Sequence, residues 1–211
     1  MPSTRDTRDG ETVPGNPWGG PALFRHESQS CRPEPTGKWS GLSEYRLTLR
    51  GFPEGAGRAS LRGYGVYMIR DSHDVNISNA QRAQNRLRQR RCGYSHVRVH
   101  AGEGQQFLRN HSGALTMAPS DSNSFLSSSL IASSQDLSRK IVDSLCASTG
   151  TRNRGVMTTD TMSGINWSTI PVTIVEMGFM TNQTEDLNMA SDSYQQKIAK
   201  GIADGIDQYY A

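Results

Sequence analysis

The run Ile170-Pro-Val-Thr-Ile-Val-Glu-Met-Gly-Phe179 places one carboxylate, Glu176, directly after residues 172–175, all of high β propensity. A carboxylate delivered by a buried strand is costly unless it binds something or takes part in chemistry. A second run has the same form: Val97-Arg-Val-His100 alternates and ends on an imidazole. A glutamate and a histidine ending two strands of an α/β sheet would make a metal or acid–base site at its carboxyl edge, the usual place for chemistry in that architecture.

Those two side chains need a sheet and helices to hold them. Gly63-Tyr-Gly-Val-Tyr-Met-Ile-Arg70 reads as a strand, followed by a turn at Asp71, and residues 96–100 and 172–175 read as two more. Residues 39–49 read as a helix entry in which Ser43 caps and Leu42, Tyr45 and Leu49 share a face. Residues 101–129 read as a Ser-rich loop. Ser133-Ser-Gln-Asp136 has the form of a capping box, after which Leu137, Ile141, Leu145 and Cys146 make an apolar stripe that Gly150 stops. From Asp192 a closing helix carries Tyr194, Ile198, Ile202, Ile206 and Tyr209 at steps of three and four. Alternating helices and strands predict an α/β fold, a single-domain sandwich with a mainly parallel sheet flanked by helices. Residues 1–37 show little periodicity and form a poorly patterned N-terminal segment with room for a damaged first strand, while residues 38–211 form the patterned domain.

Composition narrows the function. With 211 residues the chain can bury a sizeable core, and a net charge of +3 gives little reason to expect a polyanionic partner. The basic run from Arg86 to Arg91 lacks interleaved aromatics, so no nucleic-acid partner is expected. No apolar stretch is long enough for a transmembrane segment, and no secretory signal is visible. Cys31, Cys92 and Cys146 are odd in number and far apart, which gives no disulfide framework, and Cys146 reads as a small core residue.

Several stretches, taken together, resemble the zinc-dependent N-acetylmuramoyl-L-alanine amidases of bacterial peptidoglycan (the Amidase_3-like catalytic domain, with a phosphorylase/hydrolase-like fold). They are Gly41-Leu-Ser-Glu-Tyr45, residues 64–83 with Ser78-Asn-Ala-Gln-Arg-Ala83, residues 97–101, and nearly all of 112–210. The last includes Ser112-Gly-Ala-Leu-Thr-Met-Ala-Pro-Ser120, Asn153-Arg-Gly-Val156 and Val175-Glu-Met-Gly-Phe-Met-Thr-Asn182. The resemblance implies one Zn2+ held by two histidines and a glutamate. Glu44 matches the ligand glutamate, His100 the second ligand histidine, and Glu176 the catalytic glutamate. It implies peptidoglycan, a muramoyl peptide, as substrate, an extracellular or cell-wall location, and a monomer.

The first ligand histidine has no clear counterpart. The family reads Asp-Pro-Gly-His near its start, and here Thr12-Val-Pro-Gly-Asn16 puts Asn16 in that place; His26 is the other candidate. An amide oxygen is a poorer zinc ligand than imidazole, so the resemblance is compatible with impaired activity, or with a non-catalytic relative that binds the cell wall without cutting it. Both the resemblance and the binary pattern lapse in blocks, at 1–37, 50–62 and 84–96, as local reading-frame errors or gene decay would cause. Read without the resemblance, Glu44 is an acid favoured at a helix start, and His73, His96 and His111 are surface histidines. Arg82 is either a substrate contact or a partner in a helix-surface ion pair.

Overall fold

A computed structural model describes residues 22–26, 36–44, 46–48, 57–58, 61–64, 66–68, 95–102 and 112–211, with 22–26, 67–68 and 95–102 described by backbone alone. Among the described residues six strands form one sheet: β1 (Ala22–His26), β2 (Tyr67–Met68), β3 (Ser95–Gly102), β4 (Ala114–Ala118), β5 (Asn153–Thr158) and β6 (Val172–Phe179). Among the described residues four helices with defined bounds accompany them: α1 (Ser128–Thr149), α2 (Ser163–Asn166), α3 (Gln183–Ala190) and α4 (Asp192–Tyr210). The strand order is β2-β1-β3-β6-β4-β5. Every pairing is parallel except β4 with β6, which is antiparallel. The sheet is thus mainly parallel, as the alternation of elements predicts.

Strand alternation divides the core in two. On β4, Ala114 belongs to the cluster beneath α1 and α4, whereas Leu115 and Met117 belong to a second cluster with Ile165 of α2. On β6, Val175 and Met177 face the first cluster, and Val172 and Ile174 the second. Polar groups buried between α1 and the sheet are paired: Ser138 Oγ donates to Thr173 Oγ1 at 2.8 Å, and Thr116 Oγ1 donates to the Ser138 carbonyl at 3.0 Å. Helix α4 lies against α1 at unusually close range because Gly201 and Gly205 face it; a Cβ on Gly205 would sit 2.5 Å from Ile141 Cα, and one on Gly201 2.6 Å from Leu145 Cα.

Local structure departs from the sequence reading in places. The Ser-rich stretch 101–129 is not all loop: it holds β4, whose five residues are all buried. Helix α1 starts before the Ser133 box, with Ser127 as its N-cap accepting from Leu130 N. The box residues lie inside the helix, where Ser134 is buried and its hydroxyl accepts from Val172 N at 3.0 Å. The C-terminal stop is as expected, with Gly150 at φ 74° and its N–H donated to the Cys146 carbonyl. Leu137, Ile141, Leu145 and Cys146 are buried, and burial pushes the Cys146 thiol up to about 11. Residues 38–40 form a turn, and helical residues begin at Glu44, so the buried face is Glu44, Leu47 and Thr48, with Leu42 half-buried; Tyr45 and Leu49 lie outside the described residues. Most of the mismatched blocks also lie outside them, as do Asn16, Cys31, His73, Arg82, the run 86–91, Cys92 and His111. β1 falls at residues 22–26.

Candidate functional site

Glu176 lies three residues before the end of β6, and β6 runs on to Phe179. It is therefore not the last residue of its strand, nor is His100, since β3 continues to Gly102. The two are register partners on adjacent parallel strands, so one strand spacing, about 4.8 Å, separates their backbones. On the other side Glu176 is paired with Leu115 of the antiparallel strand β4. Flanked on both sides, the Glu176 side chain is only 8% exposed, and alternation puts it on the sheet face of Val172 and Ile174. The ladder shifts register between His100 and Gly102, the irregularity lying immediately beyond the His100–Glu176 pair. Bulges of this kind re-aim side chains beside functional sites.

β1 is the strand on the far side of β3, and its last residue, His26, is in register with Val99. His26 is thus one residue out of line with the His100–Glu176 pair, at a register position that alternation assigns to the opposite face of the sheet. His96 sits four residues back along β3, in register with Val172 at the other end of β6.

Glu44 lies on a separate segment, before the sheet strands β2 and β3. The Ser43 carbonyl accepts from Arg46 N and Leu47 N, which starts the helical residues. Glu44 is 7% exposed, and its carbonyl accepts from Thr48 Oγ1 at 2.8 Å. Leu47 is fully buried in the cluster that holds Val175 and Met177, the two neighbours of Glu176. Gln195 Nε2 of α4 donates to the Leu47 carbonyl at 3.3 Å and to the Met189 carbonyl at 2.6 Å. Glu44 and Glu176 are thus both buried, but alternation turns Glu176 to the sheet face opposite the cluster that holds Leu47. Among the described residues no group of three His, Cys, Asp or Glu side chains is arranged to hold a metal ion; His26 and His100 enter through backbone position alone.

Two further acids at this end were not singled out in the sequence. Glu185 of α3 is buried, and its Oε2 accepts from Phe179 N at 2.8 Å while its Oε1 accepts from Gly113 N at 2.6 Å. One side chain thereby ties the end of β6 to the start of β4, where Gly113 holds φ 114° with the Arg152 carbonyl against the place of any Cβ. Burial raises the Glu185 pKa, although both backbone N–H groups act to lower it. Asp186, beside it, is fully buried and accepts from Trp39 N, Ser40 N and Ser40 Oγ. The available signal was Asn182-Gln-Thr-Glu185, which has the spacing of a helix start; Asn182 does cap α3, accepting from Glu185 N.

The sequence pattern of the N-acetylmuramoyl-L-alanine amidase family matches residues 33–208. An uncharacterized protein of Bacillus subtilis (strain 168), YqiI, is 40% identical over 77 residues, which are 36% of this chain and 37% of that protein. The N-acetylmuramoyl-L-alanine amidase LytC of the same organism is 31% identical over 112 residues, 52% of this chain and 22% of LytC. The chain therefore matches well under half the length of either curated relative. Among solved structures, an N-acetylmuramoyl-L-alanine amidase from Clostridium difficile 630 superposes with a TM-score of 0.76 at 20% identity, covering 90% of this chain and 96% of that one. At that identity the likeness is one of fold.

Proposed function

The chain belongs to the N-acetylmuramoyl-L-alanine amidase family, and from that premise we propose that it is a zinc-dependent hydrolase of bacterial peptidoglycan. The bond cut is the amide that joins the lactyl group of N-acetylmuramic acid to L-alanine. The observation that carries this reading is the pairing of a buried Glu176 with His100 on adjacent strands at one end of the sheet.

The residues present fit a zinc ion by their chemistry. A buried carboxylate at Glu44 and an imidazole position at His100 are donors of the right kind. For the third place, an imidazole at His26, the last residue of β1, is a better zinc donor than the amide oxygen of Asn16. We assign the ligands as His26, Glu44 and His100. When bound, zinc supplies Lewis acidity towards water and towards the scissile carbonyl.

Glu176 carries the protons. Its carboxylate takes one from the attacking water as the water oxygen bonds to the lactyl carbonyl carbon. It then delivers that proton to the departing alanine nitrogen as the carbon–nitrogen bond breaks. Burial between β3 and β4 suits this role, because it fixes the carboxylate and limits competing water. A peptidoglycan substrate places the work at the cell wall, and no helix among the described residues is long and apolar enough to cross a membrane. The protein acts as a monomer in this reading, which light scattering would check.

The test is zinc content and turnover of the purified protein. Near-stoichiometric zinc is expected in the parent. Glu176→Gln is expected to retain zinc and to lose hydrolysis of muramoyl peptides by about 100-fold or more, the scale of a lost proton carrier. Turnover equal to the parent would remove Glu176 from the chemistry. Zinc retained with no turnover in the parent itself would favour a protein that binds the wall without cutting it.

A further inference from the structure

Asp186 takes no part in the proton transfers assigned to Glu176, yet it is a fully buried carboxylate at the same end of the fold. It accepts three hydrogen bonds, all from one short stretch of chain. Trp39 N and Ser40 N donate to Oδ2 at 3.0 and 2.9 Å, and Ser40 Oγ donates to Oδ1 at 2.6 Å. The Ser40 hydroxyl in turn accepts from Leu42 N at 3.2 Å. Gly37 lies so close that any Cβ there would overlap the Asp186 carboxylate. The stretch is folded back on itself, with Gly37 N donating to the Leu42 carbonyl at 2.8 Å and Gly41 N to the Gly37 carbonyl at 2.9 Å. Gly41 makes the turn at φ 67°. Glu44 follows as the first helical residue after this turn.

The geometry is that of a clamp. Asp186 sits on the helix that directly follows β6, so its hydrogen bonds fix the turn before Glu44 relative to the strand that carries Glu176. Hydrophobic packing gives this segment few anchors of its own: Leu47 is buried and Leu42 half-buried, while Trp39 and Arg46 are exposed. Charge-assisted hydrogen bonds to backbone N–H groups are directional in a way that apolar contact is not.

We propose that Asp186 is a positioning residue that sets the Glu44 carboxylate for metal binding. The proposal rests on the assignment of Glu44 as a ligand. Partners that orient a ligand characteristically change metal affinity about 10- to 100-fold when removed. Asp186→Ala in the full chain is therefore expected to weaken zinc binding by about that factor, measured by competition against a chromogenic chelator. In the metal-free protein the same variant is expected to speed amide exchange at Trp39 and Ser40, a readout independent of turnover.

Asp186→Asn should restore most of the affinity. Its carbonyl oxygen can still accept from Trp39 N and Ser40 N, and its NH2 can donate to Ser40 Oγ. If Asp186→Ala does not fold, Ser40→Ala serves in its place, since it removes the hydroxyl bonds while leaving the carboxylate's backbone partners. Glu44→Ala separates the two assignments. If Glu44→Ala loses zinc but neither Asp186→Ala nor Ser40→Ala shifts the affinity by more than about threefold, the clamp is overturned and the ligand assignment stands. Parent-like zinc binding in Glu44→Ala overturns the ligand assignment, and the clamp with it.

Discussion

Gly205→Ala offers a sign test of how the two long helices hold the sheet. An alanine at a helix-interior glycine ordinarily stabilises by about 0.8–1 kcal/mol through backbone entropy. Here the new Cβ would lie 2.5 Å from Ile141 Cα, 2.8 Å from the Lys140 carbonyl oxygen and 2.9 Å from Ile141 N. Carbon atoms rest at about 3.5–4.0 Å, so α1 and α4 must part locally by about 1 Å. The opposing atoms are backbone, which cannot swing aside as a flexible side chain can. Overpacking of this kind costs about 1–3 kcal/mol, and here it belongs near the top of that range, because separation also loosens Ile141, Leu145, Ile202 and Ile206 in one cluster. Subtracting the propensity gain leaves a net loss of about 1–2 kcal/mol. Equilibrium unfolding in urea, with a slope of about 2 kcal/mol per molar, should show a midpoint lowered by roughly 0.5–1 M. A midpoint that rises would mean the helices are not in backbone contact at this position.

The remaining predictions concern the site and its supports. Because burial raises the Glu185 pKa above the ordinary 4.5, the folded state holds that proton longer than the unfolded chain. This group's contribution is thus greatest below pH 4.5 and is lost as pH rises through the folded value. Glu185→Gln removes that slope, so its urea midpoint relative to the parent should shift in the variant's favour from pH 4.5 to pH 7; a shift the other way would contradict the assignment of burial as the cause. His26→Ala should lower zinc affinity at least 10-fold while Asn16→His leaves it unchanged, as expected for an imidazole ligand supplied by β1 and not by the earlier segment. The reverse pattern in a chelator competition would move the ligand to position 16.

How much of this was legible in the sequence depended on whether the signal was local. Helix α4 was readable because Ile198, Ile202 and Ile206 recur at one period and all are buried. Glu176 and His100 were readable as a pair because each follows a strand-like run, and parallel pairing of β3 with β6 then puts them side by side. β4 was missed because Ala114, Thr116 and Ala118 are small or polar; the strand is buried on both faces, so it has no alternation to show. The start of α1 was placed late because Ser127, Ser128 and Ser129 give no apolar stripe, and the cap is one serine among several. Asp186 and Glu185 were missed for a different reason. Their partners lie 147 and 72 residues away, at Trp39 and Gly113, and no spacing rule links them.

Those two adjacent acids tie together segments that lie far apart in the chain. Neighbouring positions on a helix point about 100° apart, so Glu185 and Asp186 serve different clients from one short element. Glu185 grips the end of β6 and the entry to β4. Asp186 grips the turn that leads to Glu44. Both accept from backbone N–H groups, so what they chiefly fix is the course of the chain, with Asp186 also holding the Ser40 hydroxyl. A carboxylate without such donors would be costly at this depth, and the N–H groups would be costly without an acceptor. Each side therefore enforces the other, and the register of β6 and the placement of residues 37–44 become a single cooperative choice. An eight-residue helix that is weak on its own terms thus couples the strand of one carboxylate to the turn that delivers the other.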